Sequence, residues 1–239
     1  MPAEPGISRR LLLEWGVALA LQAHLAGEAA ADEGLTCFVN QSAMPRDGVV
    51  AVGVVVCADV DRHAAGLAAI RAARGHRRRL SGHSNDRYGA AFCLSCVDYL
   101  LAQPDMRFMC ALVDVTRWPD EALERDQIVI GYHRRVLDGL RIGSGNTRRI
   151  VIVNRESLRT EELARAVGGY TRPADAIARE PARSSDLLQL AGYLAACLRS
   201  AQGKVRIETR EALATRLGAP LDEASLRANR KFQMVRLVI

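Results

Sequence analysis

The stretch Val49-Val50-Ala51-Val52-Gly53-Val54-Val55-Val56 is apolar at every position. A strand with one face in water alternates apolar with polar residues, because successive side chains point to opposite sides. A strand without that alternation needs cover on both faces. The valines favour an extended backbone, and the turn residues Pro45-Arg46-Asp47-Gly48 bound the run, so it reads as a strand. Layers of helices on both sides of a parallel or mixed sheet supply the cover it needs.

The rest of the chain fits such an α/β architecture. Residues 7 to 30 read as a helix, since Leu11, Leu12, Trp15, Leu19, Leu21 and Leu25 recur at helical spacing and Gly34 punctuates the end. Leu35-Thr36-Cys37-Phe38-Val39 reads as a strand leading into the valine run. Asp61 to Arg74 is expected to be helical. It is followed by the basic segment Gly75-His76-Arg77-Arg78-Arg79 and a second helix from Asp86 to Ala102, ahead of Pro104. Phe108 to Val115 forms a further strand. A helix then runs from about Pro119, a residue suited to a first helical position, to Leu140. The loop Gly143-Ser144-Gly145-Asn146 leads into the strand Arg149-Ile150-Val151-Ile152-Val153. Tyr170 to Ser185, with Pro173, Pro181 and many charges, reads as an irregular surface connection. Asp186 to Arg199 is a strongly apolar helix, and Lys204 to Ile239 has the look of strand, helix, strand.

The six cysteines (Cys37, Cys57, Cys93, Cys96, Cys110 and Cys197) mostly sit among apolar neighbours at irregular spacing, as free core thiols do. That usage fits a reducing compartment, and a cytoplasmic location is the expectation. Ser8-Arg9-Arg10-Leu11-Leu12-Leu13 raises the question of a twin-arginine signal. Glu14, Gln22, His24 and Glu28 interrupt the apolar run and favour an amphipathic helix. The sequence has no uninterrupted apolar stretch long enough for a membrane span. A net charge of +6, mostly from arginine, suits a polyanionic partner such as DNA or RNA.

Three segments carry a family resemblance: Phe38-Val39-Asn40-Gln41-Ser42 with the following Gly53-Val54-Val55-Val56, then Ile150-Val151-Ile152-Val153-Asn154, then Ser185-Asp186-Leu187-Leu188-Gln189-Leu190-Ala191-Gly192. In that order the chain resembles the domain-of-unknown-function family numbered 3800, whose fold is similar to ribonuclease H. The resemblance implies a ribonuclease H-like domain over residues 35–200, with an N-terminal helical extension, 1–34, and a C-terminal extension, 201–239. It also implies a site. In the family the first strand typically ends in Asp-Glu-Ser, a segment after the first helix carries Glu-Leu-Lys, a later strand ends in Asp, and the final helix reads Leu-Gln-Leu-Ala-Asp. The corresponding positions here are Asn40-Gln41-Ser42, Arg79-Leu80-Ser81, Asn154 and Gly192, so every expected carboxylate is absent.

Mg²⁺ dehydrates reluctantly and is held through carboxylates, which bring negative charge as well as oxygen. A two-metal nuclease needs several of them. Asn40, Gln41 and Asn154 keep a carbonyl oxygen without the charge, and are expected to hydrogen-bond to one another without holding metal tightly. Arg79 is expected to project its guanidinium toward the place a metal would take. Asparagine is also an ordinary strand-end turn residue. Against the family's pattern, two adjacent acids and a distant third all stand here as their isosteric amides, which the resemblance implies is a vestigial site.

Other signals point less sharply. Cys93-Leu94-Ser95-Cys96 has zinc-knuckle spacing, but no second pair completes a site, and these cysteines share a helical face with Phe92, Val97 and Leu100. Gly143-Ser144-Gly145 precedes a strand, whereas phosphate-binding loops follow one. His76, Arg77, Arg78, Arg79, His83 and Arg87 form the densest basic cluster, readable as phosphate contacts or as a solvated loop. Asp47, Asp114 and Asp186, with His83, are the residues available for a displaced metal site. The leading expectation is a catalytically inactive ribonuclease H-like domain, binding no metal or cofactor, that serves as a nucleic-acid-binding or structural subunit of a larger assembly. The alternatives are a nuclease with a shifted carboxylate set and a protein-docking subunit or homo-oligomer that uses the N-terminal helix and the apolar C-terminal strand.

Overall fold

The valine run lies at the centre of a six-stranded sheet. The structure is a computed structural model and describes residues 34–42, 48–80, 87–114, 122–139, 147–153, 177–199, 205 and 207–238. Strands β1 (Leu35–Ser42) and β2 (Val49–Cys57) form an antiparallel pair, with Thr36 opposite Cys57 and Ser42 opposite Ala51. β3 (Arg107–Asp114) continues antiparallel beside β2. β4 (Thr147–Val153) lies parallel to β1 on its other side, and β5 (Ile177–Glu180) lies parallel to β4. β6 (Phe232–Val238) adds parallel to β3, giving the order β5-β4-β1-β2-β3-β6. The helices are α1 (Val60–Ala73), α2 (Arg87–Ala102), α3 (Ala122–Gly139), α4 (Asp186–Leu198), α5 (Ile207–Leu217) and the single turn α6 (Glu223–Leu226). The fold is α/β, a ribonuclease H-like mixed sheet flanked by helices.

The absence of alternation in β2 now has its cause. Ala51, Val55 and Cys57 join Phe38, Phe108 and Cys110 on the face covered by α4, with α2 behind it. Val50, Val52, Val54 and Val56 join Cys37, Val39, Met109 and Ile150 on the other face, where Val136 and Leu137 of α3 pack. α4 belongs to the first layer. Apart from Asp186 and Gly192, every residue of this helix is buried, and Ser185 caps its start by accepting the Leu188 N–H. Gly53 sets how closely α4 approaches, because a Cβ there would stand 2.2 Å from the Ala191 carbonyl oxygen.

A polar cluster ties α1, α2 and the entry to β3. The fully buried His63 shares hydrogen bonds with Asp105 through Nε2 at 2.8 Å and with the Tyr99 hydroxyl through Nδ1 at 3.0 Å. Arg62 donates to the same Asp105 oxygen at 2.7 Å. Burial alone would raise the Asp105 pKa, but the hydrogen bonds from His63 and Arg62 outweigh it and hold the carboxyl below its ordinary value. The Lys231 ammonium donates to the carbonyls of Gln103, Pro104 and Met106, which fixes the start of β6 against this turn.

Two segments differ from the sequence reading. The stretch read as irregular from Tyr170 to Ser185 contains β5, whose four residues are too few to show a period and which forms against the open edge of β4. In the tail, the helix expected after a first strand begins already at Ile207, with Thr209 and Leu213 turned to the core at helical spacing; Lys204 and Arg206 lie outside the described residues. The closing strand is present as expected, and it joins the same sheet, so the tail belongs to the compact unit Gly34–Ile239. The helix expected within residues 7 to 30 lies outside the described residues. No helix among the described residues is long and apolar enough to cross a membrane.

The outer edge of β6 is partly occupied. Glu223 accepts the Arg236 backbone N–H at 3.1 Å and Asn229 accepts that of Phe232 at 2.9 Å, so two donors on this edge are satisfied within the chain.

Gly53→Ala is expected to lower stability by about 1–3 kcal/mol, because its methyl group meets backbone rather than a movable side chain. Urea denaturation followed by circular dichroism checks this; a midpoint equal to the parent's would show that α4 can move away from the sheet at no cost.

Candidate functional site

Along β1 the alternation places Asn40 on the same side as Phe38, under α4, and Gln41 with Cys37 and Val39 on the α3 side. The two adjacent amides therefore face opposite layers, and the expected bond between them does not form. Asn40 is buried, and its Nδ2 donates to the Leu188 carbonyl at 2.8 Å. Gly192, one turn further along α4, stands directly against it: a Cβ at 192 would be 2.4 Å from Asn40 Nδ2 and 2.8 Å from its Cγ. The first-strand and final-helix positions singled out by the sequence thus meet. An aspartate at 192 has no room while Asn40 keeps this conformation.

The third element reaches the same turn of α4. Gly75, with φ at +61°, ends α1 in the left-handed conformation that glycine tolerates, and His76 returns its N–H to the Arg71 carbonyl. The chain then lies along α4, where the Leu80 N–H donates to Gln189 Oε1 at 2.7 Å. Leu80 is buried, whereas the side chains of Arg77, Arg78 and Arg79 are exposed. Arg79 therefore does not turn its guanidinium inward to a metal position, because its neighbour Leu80 takes the inward place.

Arg71 is the cation beside α4. It forks onto Asp186, with Nε donating to Oδ2 at 2.9 Å and Nη2 to Oδ1, and Nη2 also reaches Gln189 Oε1 at 3.3 Å. Its Nη1 donates to the backbone carbonyls of His76 at 3.2 Å and Arg78 at 2.8 Å. The guanidinium lies 4.5 Å from the Phe92 ring centre, and His76 stacks on the same ring at 5.0 Å. Arg71 and Gln189 thus hold the backbone of the basic segment in one path while its arginine side chains point outward. Sequence reasoning passed over Arg71. The available signal was its place four residues after Leu67, on the buried stripe of α1, where an unpaired charge would not be kept.

Asp186 is committed to Arg71, and Asp114, at the end of β3, has Arg236 at 3.7 Å. Among the described residues no three of His, Cys, Asp or Glu gather to hold a metal. Asp47, Asn154 and His83, together with the side chain of Arg87, lie outside the described residues. Cys93 and Cys96 are buried in the core beside Phe92, Val97 and Leu100. Burial raises both thiols, and pushes those of Cys37, Cys57 and Cys197 up to about 12, so at neutral pH they are protonated packing groups.

None of the known protein families matches the chain, and no similar protein is found among the curated ones.

Asn40→Asp tests whether the amide at this position is required. It places a carboxylate oxygen against the Leu188 carbonyl, where only a protonated carboxyl can donate, so the folded-state pKa of Asp at 40 rises above its unfolded value of about 3.9. Such a group destabilises progressively as pH rises through the unfolded pKa, and in full above the folded one. The stability gap between parent and variant is expected to be larger at pH 7 than at pH 4. A gap independent of pH would show that the side chain at 40 swings away from Leu188.

Proposed function

We propose that this protein is a catalytically inactive ribonuclease H-like domain that binds nucleic acid through Arg77, Arg78 and Arg79, as a subunit of a larger assembly. The observation that carries this reading is the construction of the basic segment. Arg71 and Gln189 fix its backbone, so its exposed guanidiniums stand on an ordered support instead of a solvated loop. The segment meets α4 at Gln189, next to the turn where Asn40 meets Gly192; the resemblance implies carboxylates at both of these positions in the family. An uncharged site bordered by cations suits a phosphate backbone but lacks the anions that two catalytic metals need. His83 and Arg87 extend the same basic cluster in sequence. Subunit status rests on the expectation of a partner once catalysis is absent.

Binding of this kind is electrostatic and weakly dependent on base sequence. Fluorescence anisotropy at several salt concentrations should give a linear fall of log affinity with log salt. Replacing Arg77, Arg78 and Arg79 together by alanine should weaken binding and flatten that slope, by about 0.9 for each phosphate no longer neutralised on duplex DNA and about 0.7 on single strands. Arg149→Ala, on β4, should change neither. If the triple variant keeps the parent's affinity and slope, the charge belongs to ordinary surface and protein docking becomes the better reading. Incubation with DNA, RNA and their hybrid in Mg²⁺ or Mn²⁺ is expected to give no cleavage; cleavage abolished by Asp114→Ala would instead support an enzyme with a shifted carboxylate set.

A further inference from the structure

A carboxylate stands beside the basic segment, where charge by itself argues against one. Arg71 joins the two. Its Nη2 donates to Asp186 Oδ1 and its Nε to Oδ2 at 2.9 Å, while its Nη1 donates to the carbonyls of Arg78 at 2.8 Å and His76 at 3.2 Å. A single guanidinium therefore separates the Asp186 carboxylate from the backbone that carries Arg77, Arg78 and Arg79. The two side chains are 21% and 17% exposed, so the pair is largely withdrawn from water, and its charges cancel. Asp186 adds nothing to the positive field of the surface, and by itself it repels phosphate. What it supplies is an anchor, because it opens a helix that Ser185 caps and that the core holds along almost its whole length. A shielded guanidinium keeps one orientation only while its charge is answered.

We infer that Asp186 is a positioning residue for phosphate binding, and that this carboxylate raises the affinity of the surface for a polyanion. The inference rests on the reading of the basic segment given above and adds how that surface is kept ready. A segment already in its bound path loses little conformational freedom when the ligand arrives, whereas a loose one must be ordered at that moment. Fixing the backbone of one residue is worth roughly a factor of 5 to 30 in an equilibrium constant. Repulsion between charges across a solvated surface is worth a factor of about five at most, and here Arg71 offsets it. Order therefore outweighs charge. The two effects have opposite signs, so one substitution decides between them.

The test uses the full chain with fluorescein-labelled duplex DNA and oligothymidylate, in chelator and again in Mg²⁺. Asp186→Asn should weaken binding by about 5- to 30-fold, with the salt slope unchanged, because the three guanidiniums still neutralise the same phosphates once bound. If charge were all that counted, the same substitution would tighten binding. Arg71→Lys keeps both charges of the pair but has no fork to span a carboxylate and two carbonyls, so it should weaken binding alike. Brief digestion with trypsin reads the segment without any nucleic acid: cleavage after Arg77, Arg78 or Arg79, mapped by mass spectrometry, should be faster in both variants than in the parent. Asp98→Asn removes an acid of the same charge from the exposed side of α2, and should neither weaken binding nor speed that cleavage. All measurements are made well below the melting temperature of the least stable variant, so that a general loss of fold does not enter. Asp186→Asn that binds as tightly as the parent, or more tightly, overturns the inference, and so does a segment cleaved no faster in either variant. A loss seen only in Mg²⁺ also overturns it, since Asp186 would then act as a metal ligand. A parent that binds neither nucleic acid brings down the reading of the basic segment itself; a parent that binds while Asp186→Asn changes nothing leaves that reading standing, and only the positioning role falls.

Discussion

The rest of the structure depends on how closely α4 lies on the sheet. Two glycines allow it: Gly53 leaves room for the Ala191 carbonyl, and Gly192 leaves room for the Asn40 amide. With the helix that near, Leu187, Leu188, Leu190 and Ala191 enter the core, and the Leu188 carbonyl finds its donor in Asn40. A carbonyl in a helix already accepts one bond from its own ladder, and the second lone pair is commonly left to water. Here the amide takes it in a buried place. This gives Asn40 a structural function that an aspartate could not fill without a proton or a cation.

The same helix organises the polar side of the molecule. Asp186 and Gln189, one turn apart, are the anchors on which Arg71 and the Leu80 N–H are held. A charge pair with both partners partly shielded is stable only when its remaining donors are also used, and Arg71 spends them on the His76 and Arg78 carbonyls and on the face of Phe92. Local order in the segment after α1 is thereby a consequence of a long-range contact with a helix more than a hundred residues away, as the sequence separation of Arg71 and Asp186 (115) records. That is why the backbone that carries the following arginines takes one path.

The composition of the two layers also separates what packs from what reacts. All six cysteines are buried and free, and His63, one of three buried histidines among the described residues, is occupied by Asp105 and Tyr99 in a cluster that joins elements. Their chemistry is absorbed by structure.

How far the sequence determined this protein can be followed residue by residue. The unbroken valines of β2 demanded a sheet covered on both faces, and the alternation of strand and helix called for a parallel or mixed sheet, because these signals are periodic and local; the strand order and the antiparallel pairs were decided by the tertiary structure. The four-residue β5 was not legible, because it is too short to have a period; the helix expected in the tail is present but begins already at Ile207, where the burial of Thr209 and Leu213 decides its start. At the site, the sequence marked Asn40, Gly192 and the Arg79-Leu80 segment as positions belonging together. Only the tertiary structure decided which of them touch, that Gln41 faces the other layer, that Arg79 points outward, and that Arg71 holds the segment. Direction across a strand follows from parity once a single contact is known, and the contact between Asn40 and Gly192 depends on a helix approach that no local pattern encodes.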